Sequence, residues 1–367
     1  MKRTLGMLVA VGVSVAVFGV MNSPFAKAQA PAAAQGGRGG GGAAAAERAA
    51  KQEAAEKAAP QLEITEEILP LTMPDHTIGE TEGVSMNSKG HLFVYSRTGK
   101  GGSARGGTAA ELFEFDQNYK YVKMWLPDSY GASFAHSVRV DKYDNVWIVD
   151  EGSGMIIKMD PQGVVKMTLG RKTEAIDYLE RFLERGEKQS PEDRYPVGGV
   201  GTFNRPTDVA WDSQDNIYIS DGYGNSRFVK IAKNGVWQKA VGTHGGGDNQ
   251  FNTPHTIASD GTNIYVGDRG NFRIQVYDTN MNFKASYGNI GAPWAVQVTP
   301  KYIYSGDGTG KIYRLDHNTG KLLGWVQTSM NQGQTGCLIH ELHAVSDNVL
   351  IKGGCSVWNV EKITFKN

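Results

Sequence analysis

From residue 80 onward, short apolar or alternating runs recur between clusters of Gly, Asn, Asp and Ser, the pattern of strands joined by tight turns. Six segments share one template. They are EGVSMNSKGHLFVYSR from Glu82, HSVRVDKYDNVWIVDEG from His136, TDVAWDSQDNIYISDGYGNSR from Thr207, HTIASDGTNIYVGDRGNFR from His255, WAVQVTPKYIYSGDG from Trp294 and HELHAVSDNVLIKGG from His340. Most are followed by a further apolar run such as MIIKMD, RFVKIA, RIQVYD or KIYRLD, so each unit reads as a four-stranded antiparallel sheet. Four strands per unit of roughly 40 to 50 residues predict an all-β, six-bladed β-propeller.

The long interval between the second and third units is one charged insertion and not a missing blade. Within it, at residues 173–200, Ile176, Leu179, Phe182 and Leu183 share a helical face, which predicts an amphipathic helix between blades two and three. The stretch QLEITEEILPLTM at 61–73 alternates enough to be a strand, and is expected on the outer edge of blade six, closing the ring. Residues 61–367 are therefore the propeller, and 29–60 an Ala- and Gly-rich, then charged, linker.

Residues 1–28 read as a secretory signal peptide: Lys2 and Arg3, an apolar run from Leu5 to Val20, and a cleavage choice at Ala26-Lys27-Ala28. An uncleaved anchor is the competing reading, for which the apolar run is short. Secreted or periplasmic residence is expected, with no membrane association after cleavage. The formal net charge is zero and no basic stripe follows the signal, which argues against nucleic acid as a partner. A monomer is expected. The chain's two cysteines, Cys337 and Cys355, can pair within blade six in an oxidising compartment; a soft metal pair is the alternative, without C-x-x-C spacing.

The chemistry is concentrated at one repeat position. His136, His255 and His340 open the second, fourth and sixth units. With 8 His in the chain, composition alone gives three in six such places roughly two times in ten thousand. Three imidazoles converging on a propeller axis form an open Zn²⁺ site. The loop after the second strand of a blade lies beside the start of the first, which brings Arg97, Tyr223 and Arg269 to the same mouth. The arginines are candidate carboxylate forks and Tyr223 a candidate general base. His343 and His244 are weaker candidates.

The stretches FNRPTDVAWDSQDNIYISDGYGNSRFVKI and QFNTPHTIASDGTNIYVGDRGNFRIQVYD resemble NHL-repeat propellers, and more narrowly the peptidyl-α-hydroxyglycine α-amidating lyase domain. The likeness covers roughly residues 80–365 and is densest in blades three and four. It implies zinc on His136, His255 and His340, a catalytic tyrosine at Tyr223 and active-site arginines at Arg97 and Arg269. It also implies a structural Ca²⁺ at the backbone of Val84 and Val138 and at the side chain of Glu341, where the family has Asp. The implied reaction cleaves a hemiaminal N–C bond and forms glyoxylate. This chain departs from the pattern in its 173–200 insertion, in having Gly224 where animal enzymes have a cysteine, and in showing no monooxygenase region.

The reading that follows is an exported zinc-dependent lyase-like enzyme acting on a small-molecule or peptide-terminal carboxylate. Its rivals are a non-catalytic NHL scaffold that binds protein or glycan, and a metal-dependent hydrolase or lactonase. Hydrolases of this shape commonly use calcium, which prefers oxygen ligands over a histidine trio.

Overall fold

The computed structural model describes residues 41–74, 76–97, 110–170, 200–329 and 336–366. The predicted 173–200 helix, the Gly-rich stretch after Arg97 and the signal segment lie outside the described residues. Six four-stranded antiparallel sheets follow one another in the chain, with a small two-stranded pair at Thr243–His244 and Gln250–Phe251. The innermost strands are Glu80–Met86, Ala135–Val140, Asp208–Trp211, Pro254–Ser259, Ala295–Val298 and Glu341–Ser346. Each touches the next, and the last touches the first, so the ring closes.

Closure is completed by strand Ile64–Ile68, which pairs antiparallel with Glu361–Phe365 from Ile64↔Phe365 to Ile68↔Glu361. The alternation at 61–73 thus becomes the outer strand of blade six, as expected, and removes an open sheet edge.

The blades hold together through apolar faces. Phe93, Ala135 and Ile148 share a cluster between blades one and two, and Val149, Val209 and Ile219 one between blades two and three. Ala295, Ile339 and Leu350 do the same between blades five and six. The strands read as nearly continuous apolar runs because both faces of a blade are covered.

A helix, Gly41–Ala58, precedes the ring within the segment expected to be a tether. Its alanine-rich sequence favours helix, and it docks on blade five. Glu56 accepts from Lys311 Nζ and the Tyr313 hydroxyl, both at 2.7 Å, and the backbone oxygen of Glu56 accepts from Trp325 Nε1 at 2.9 Å. Arg48 covers the Phe272 ring of blade four at 4.2 Å. No helix among the described residues is long and apolar enough to cross a membrane.

Candidate metal centre

The histidines reach the axis through irregularities in their own strands. The ladder of blade two steps from Ala135 to Ser137 and leaves His136 as the extra residue of a bulge; that of blade four steps from Pro254 to Thr256 and does the same to His255. A bulge turns one side chain away from the alternating pattern, here into the central funnel. His340 sits one residue before the strand Glu341–Ser346, its N–H bonded to the Gly353 carbonyl. It is braced from behind by the Cys337–Cys355 disulfide, whose Cα atoms are 5.4 Å apart.

All three imidazoles are buried, and one ligand atom from each lies within 4.8 Å of those from the other two. The neighbouring blade orients each ring. His255 Nδ1 is 2.8 Å from the Trp294 carbonyl oxygen and His340 Nδ1 is 2.7 Å from that of Glu82. The backbone of Thr207 stands in the same relation to His136, in a looser contact that leaves its Nδ1 short of a full hydrogen bond. Glu82, Thr207 and Trp294 are the repeat positions of blades one, three and five, and blades one and five supply the acceptors that turn Nε2 of His340 and of His255 inward. This outer-sphere arrangement is what fixes the tautomer of metal-ligating histidines.

Burial, followed by the neighbouring charged groups, holds His136 and His255 well below the ordinary imidazole range. Burial and then Arg97 bring His340 down to about 3. Three neutral imidazoles with inward lone pairs suit a borderline ion such as zinc.

Tyr223 completes the mouth. Its hydroxyl is 2.9 Å from His255 Nε2, 3.3 Å from His136 Nε2 and 3.4 Å from Arg269 Nη1. The turn that carries it is held by Asp221, which accepts from the Asn204 N–H, Asn225 and Arg227. A Cβ on Gly222 would fall 1.8 Å from the Pro254 carbonyl oxygen, so only glycine lets this turn lie against the strand of His255. Burial pushes the phenol up, and the Arg269 charge opposes it. Arg269 stacks over Trp294 at 4.3 Å and over Tyr223 at 5.2 Å.

Arg97 reaches the same mouth but is differently engaged. Its guanidinium lies 2.8 Å from Glu82, 3.4 Å from Glu80 and 3.6 Å from Glu151, and its Nε donates to the Ala135 carbonyl at 2.9 Å. Three carboxylates around one guanidinium leave it poorly placed to take an anionic substrate. Glu151 is also gripped by Arg205, which covers the Tyr223 ring at 4.6 Å.

Glu82, Glu151, Arg205 and Trp294 were not assigned roles from sequence. Register carries a signal for two of them. Glu82 and Trp294 occupy the histidine position of the odd-numbered blades, and their neighbours in the ring are histidines.

The calcium implied by the family resemblance meets a different donor set. Glu341 Oε1 is 2.7 Å from Arg139 Nη2 and its Oε2 accepts from Ser137 at 2.9 Å, while Arg139 also takes Asp208 at 2.6 Å and donates to the Leu342 carbonyl at 3.1 Å. A guanidinium already neutralises these carboxylates, bridging the strands of blades two, three and six. The residues present do not fit a structural Ca²⁺ there. His343 lies nearby, 3.4 Å from Ser85 and apart from the triad, and His244 is exposed in the two-stranded pair.

Comparison with known proteins agrees with this architecture. The NHL repeat family matches residues 251–277. A probable peptidyl-α-hydroxyglycine α-amidating lyase of Caenorhabditis elegans is 26% identical over 301 residues, covering 74% of this chain and 80% of that protein. Peptidyl-glycine α-amidating monooxygenase A of Xenopus laevis is 22% identical over 327 residues, 77% of this chain and 31% of that protein, so the match spans under a third of its length. A streptogramin B lyase structure superposes with a TM-score of 0.54 at 14% identity, over 83% of this chain and 98% of that one, a likeness of fold alone. The fold is a six-bladed β-propeller, and residues 251–277 match an NHL repeat. In sequence the chain is similar to the peptidyl-α-hydroxyglycine α-amidating lyases.

Proposed function

We propose that this protein is an exported, zinc-dependent carbon–nitrogen lyase that cleaves the N–C bond of a hydroxylated, hemiaminal carboxylate of the α-hydroxyglycine kind. The observation that carries the reading is the Tyr223 hydroxyl set 2.9 Å from His255 Nε2 and 3.3 Å from His136 Nε2, inside a buried three-histidine cluster. The similarity to amidating lyases supports it.

Zinc held by His136, His255 and His340 supplies Lewis-acid polarisation of an oxygen on the substrate. The chain's own residues do the rest. Tyr223 as phenolate accepts the proton of the substrate's α-hydroxyl. The freed electron pair forms the carbonyl of glyoxylate as the C–N bond breaks, and the departing amide nitrogen takes up a proton, for which Tyr223 is the adjacent source. The balance is one hemiaminal to one amide and one aldehyde acid, with no oxidant or water consumed. Arg269 holds the carboxylate by charge-assisted hydrogen bonds, and its charge favours the phenolate.

The disulfide and the apolar run behind Lys2 and Arg3 support export. The test is incubation of the purified mature protein with an N-acyl-α-hydroxyglycine, with stoichiometric amide and glyoxylate as the expected products. A zinc-loaded protein that turns over no hemiaminal overturns the lyase reading. Hydrolysis of a lactone or ester in the same assay favours the hydrolase alternative, and inactivity on all of them the scaffold.

A further inference from the structure

A cavity of about 250 Å³ opens between blades two and three, away from the histidines. His136 and Thr207 stand at the starts of the innermost strands of these blades, and the cavity lies at the opposite ends, among the turns that follow Val140 and Trp211. Trp147 and Trp211, one from each blade, form its aromatic wall, with ring centroids 5.2 Å apart and planes tilted by 54°. Trp147 stands opposite Lys158 in the ladder of blade two, so the two side chains share a face, and the Lys158 ammonium lies 5.2 Å from the Trp147 ring centroid. A turn of blade four adjoins the cavity, where the Ser213 N–H donates to the Gly261 carbonyl at 2.9 Å.

Three aspartates and three lysines line the space, and their hydrogen bonds are unevenly shared. The Asp141 carboxylate accepts from the N–H groups of Tyr143 and Asn145, from the Asn145 amide and from the Trp147 indole. Asp212 accepts from the N–H groups of Gln214 and Asn216, from the Asn216 amide and from the Tyr218 hydroxyl. Asp215 is taken by Lys142 at 2.7 Å and by the Tyr143 hydroxyl at 2.9 Å. The groups left over are donors. The Lys158 ion pair with Asp141 is 3.9 Å long, beyond hydrogen-bond length, and Lys233 forms no ion pair among the described residues. The buried indole N–H of Trp211 also meets no acceptor among them.

Aromatic faces beside uncommitted ammonium groups suit a planar apolar ligand that carries an acid. We propose that this cavity binds a small aromatic carboxylate, its ring against Trp147 and Trp211 and its carboxylate on Lys158, with Lys233 as the second cation. A sugar ring also stacks on tryptophan, but each of its hydroxyls needs an acceptor, and the aspartates here are already occupied. Size agrees with the aromatic acid. An apolar protein cavity of about 150 Å³ holds one benzene, so about 250 Å³ takes one ring and a short acid arm. The site is separate from the metal centre and does not depend on the lyase reading.

The test is calorimetric titration of the purified mature protein with phenylacetate, compared with 2-phenylethanol, acetate and methyl α-glucoside. Phenylacetate is expected to bind saturably, and 2-phenylethanol and acetate each at least about tenfold more weakly, since the first lacks the charge-assisted contact and the second the ring. Lys158→Met is expected to weaken phenylacetate by a similar factor while leaving Tm and the affinity for 2-phenylethanol unchanged, and Lys158→Arg to recover part of the loss. Because Trp294 and Arg269 at the metal mouth offer a similar pairing, Arg269→Ala is titrated in parallel and is expected to bind phenylacetate as the wild type does. The absence of saturable heat at millimolar phenylacetate overturns the proposal. So does equal affinity for the acid and the alcohol, undiminished binding in Lys158→Met, loss of binding in Arg269→Ala, or tighter binding of the glucoside than of phenylacetate.

Discussion

A tyrosine hydroxyl, two arginines and three imidazoles meet at one mouth, and they do not share one role. Tyr223→Phe is expected to retain zinc and fold while turnover of an α-hydroxyglycine substrate falls by about 10²–10⁴, the range for a positioned general base; equal rates in steady-state assays remove the tyrosine from the mechanism. Arg269→Ala is expected to raise KM for carboxylated substrates far more than for uncharged analogues. Arg97→Ala should instead show itself in stability, by about 3 kcal/mol in denaturant melts, because it strands the buried carboxylate of Glu82. The triad also dictates a pH response of metal-free protein. His340 is brought down to about 3 by burial and Arg97, and the other two lie well below their ordinary value, chiefly through burial. A histidine whose folded value lies below its unfolded one, about 6.5, takes up its proton more readily when unfolded. Stability is therefore full above that value and declines as pH falls toward 3. Thermal melts of chelated protein from pH 7 to 4 should show this decline, and the triple variant His136→Gln, His255→Gln, His340→Gln should show less of it.

At the level of strands and turns, the site depends on departures from regular sheet. Bulges at Glu82, His136 and His255 send side chains inward that strict alternation would send elsewhere. Asp221 and Asp268 end their strands and accept backbone N–H groups, from Asn204 at 2.9 Å and Asn252 at 2.7 Å, which fixes the turns that carry Tyr223 and Arg269. The disulfide does the corresponding work for His340, which lies three residues after Cys337. Replacing both cysteines with serine is expected to cost about 3 kcal/mol, the usual worth of a closed loop of this size, measured by denaturant titration. It should also loosen zinc at His340 more than any change in blades three or five. Full zinc affinity in that variant would mean that the brace serves the fold alone.

Across the whole molecule, one N-terminal strand closes a ring assembled from consecutive sheets. Deleting residues through Pro70 removes the pairing of Ile64–Ile68 with Glu361–Phe365 and exposes a strand edge in blade six. Such a truncation is expected to lower Tm and to aggregate on heating, as read by scanning calorimetry and light scattering, while a truncation ending before the helix at Gly41 leaves both unchanged. Further down the channel, Arg139 spans Asp208 and Glu341 and joins blades two, three and six. Calcium or a calcium chelator is accordingly expected to leave the melting temperature unaltered; a rise of several degrees with Ca²⁺ would show that the guanidinium yields its place.

The repeat, the number of blades, the closing strand and the meeting of the three histidines were all legible in the chain, because a propeller converts equal sequence offsets into equal positions around an axis. Tyr223 and Arg269 followed from the same register. What register could not reveal was how charges are shared once the side chains are buried together. Arg97 reads as a substrate fork from its position, yet Glu80, Glu82 and Glu151 surround it. Glu341 reads as a calcium ligand by resemblance, yet Arg139 comes from another blade to neutralise it. The Ala- and Gly-rich, then charged segment before residue 60 reads as a tether, yet its helix finds Lys311, Tyr313 and Trp325. These outcomes depend on contacts between residues far apart in the chain, where the cost of burying a charge is settled by whichever opposite charge or hydrogen-bonding group the fold brings within about 3 Å.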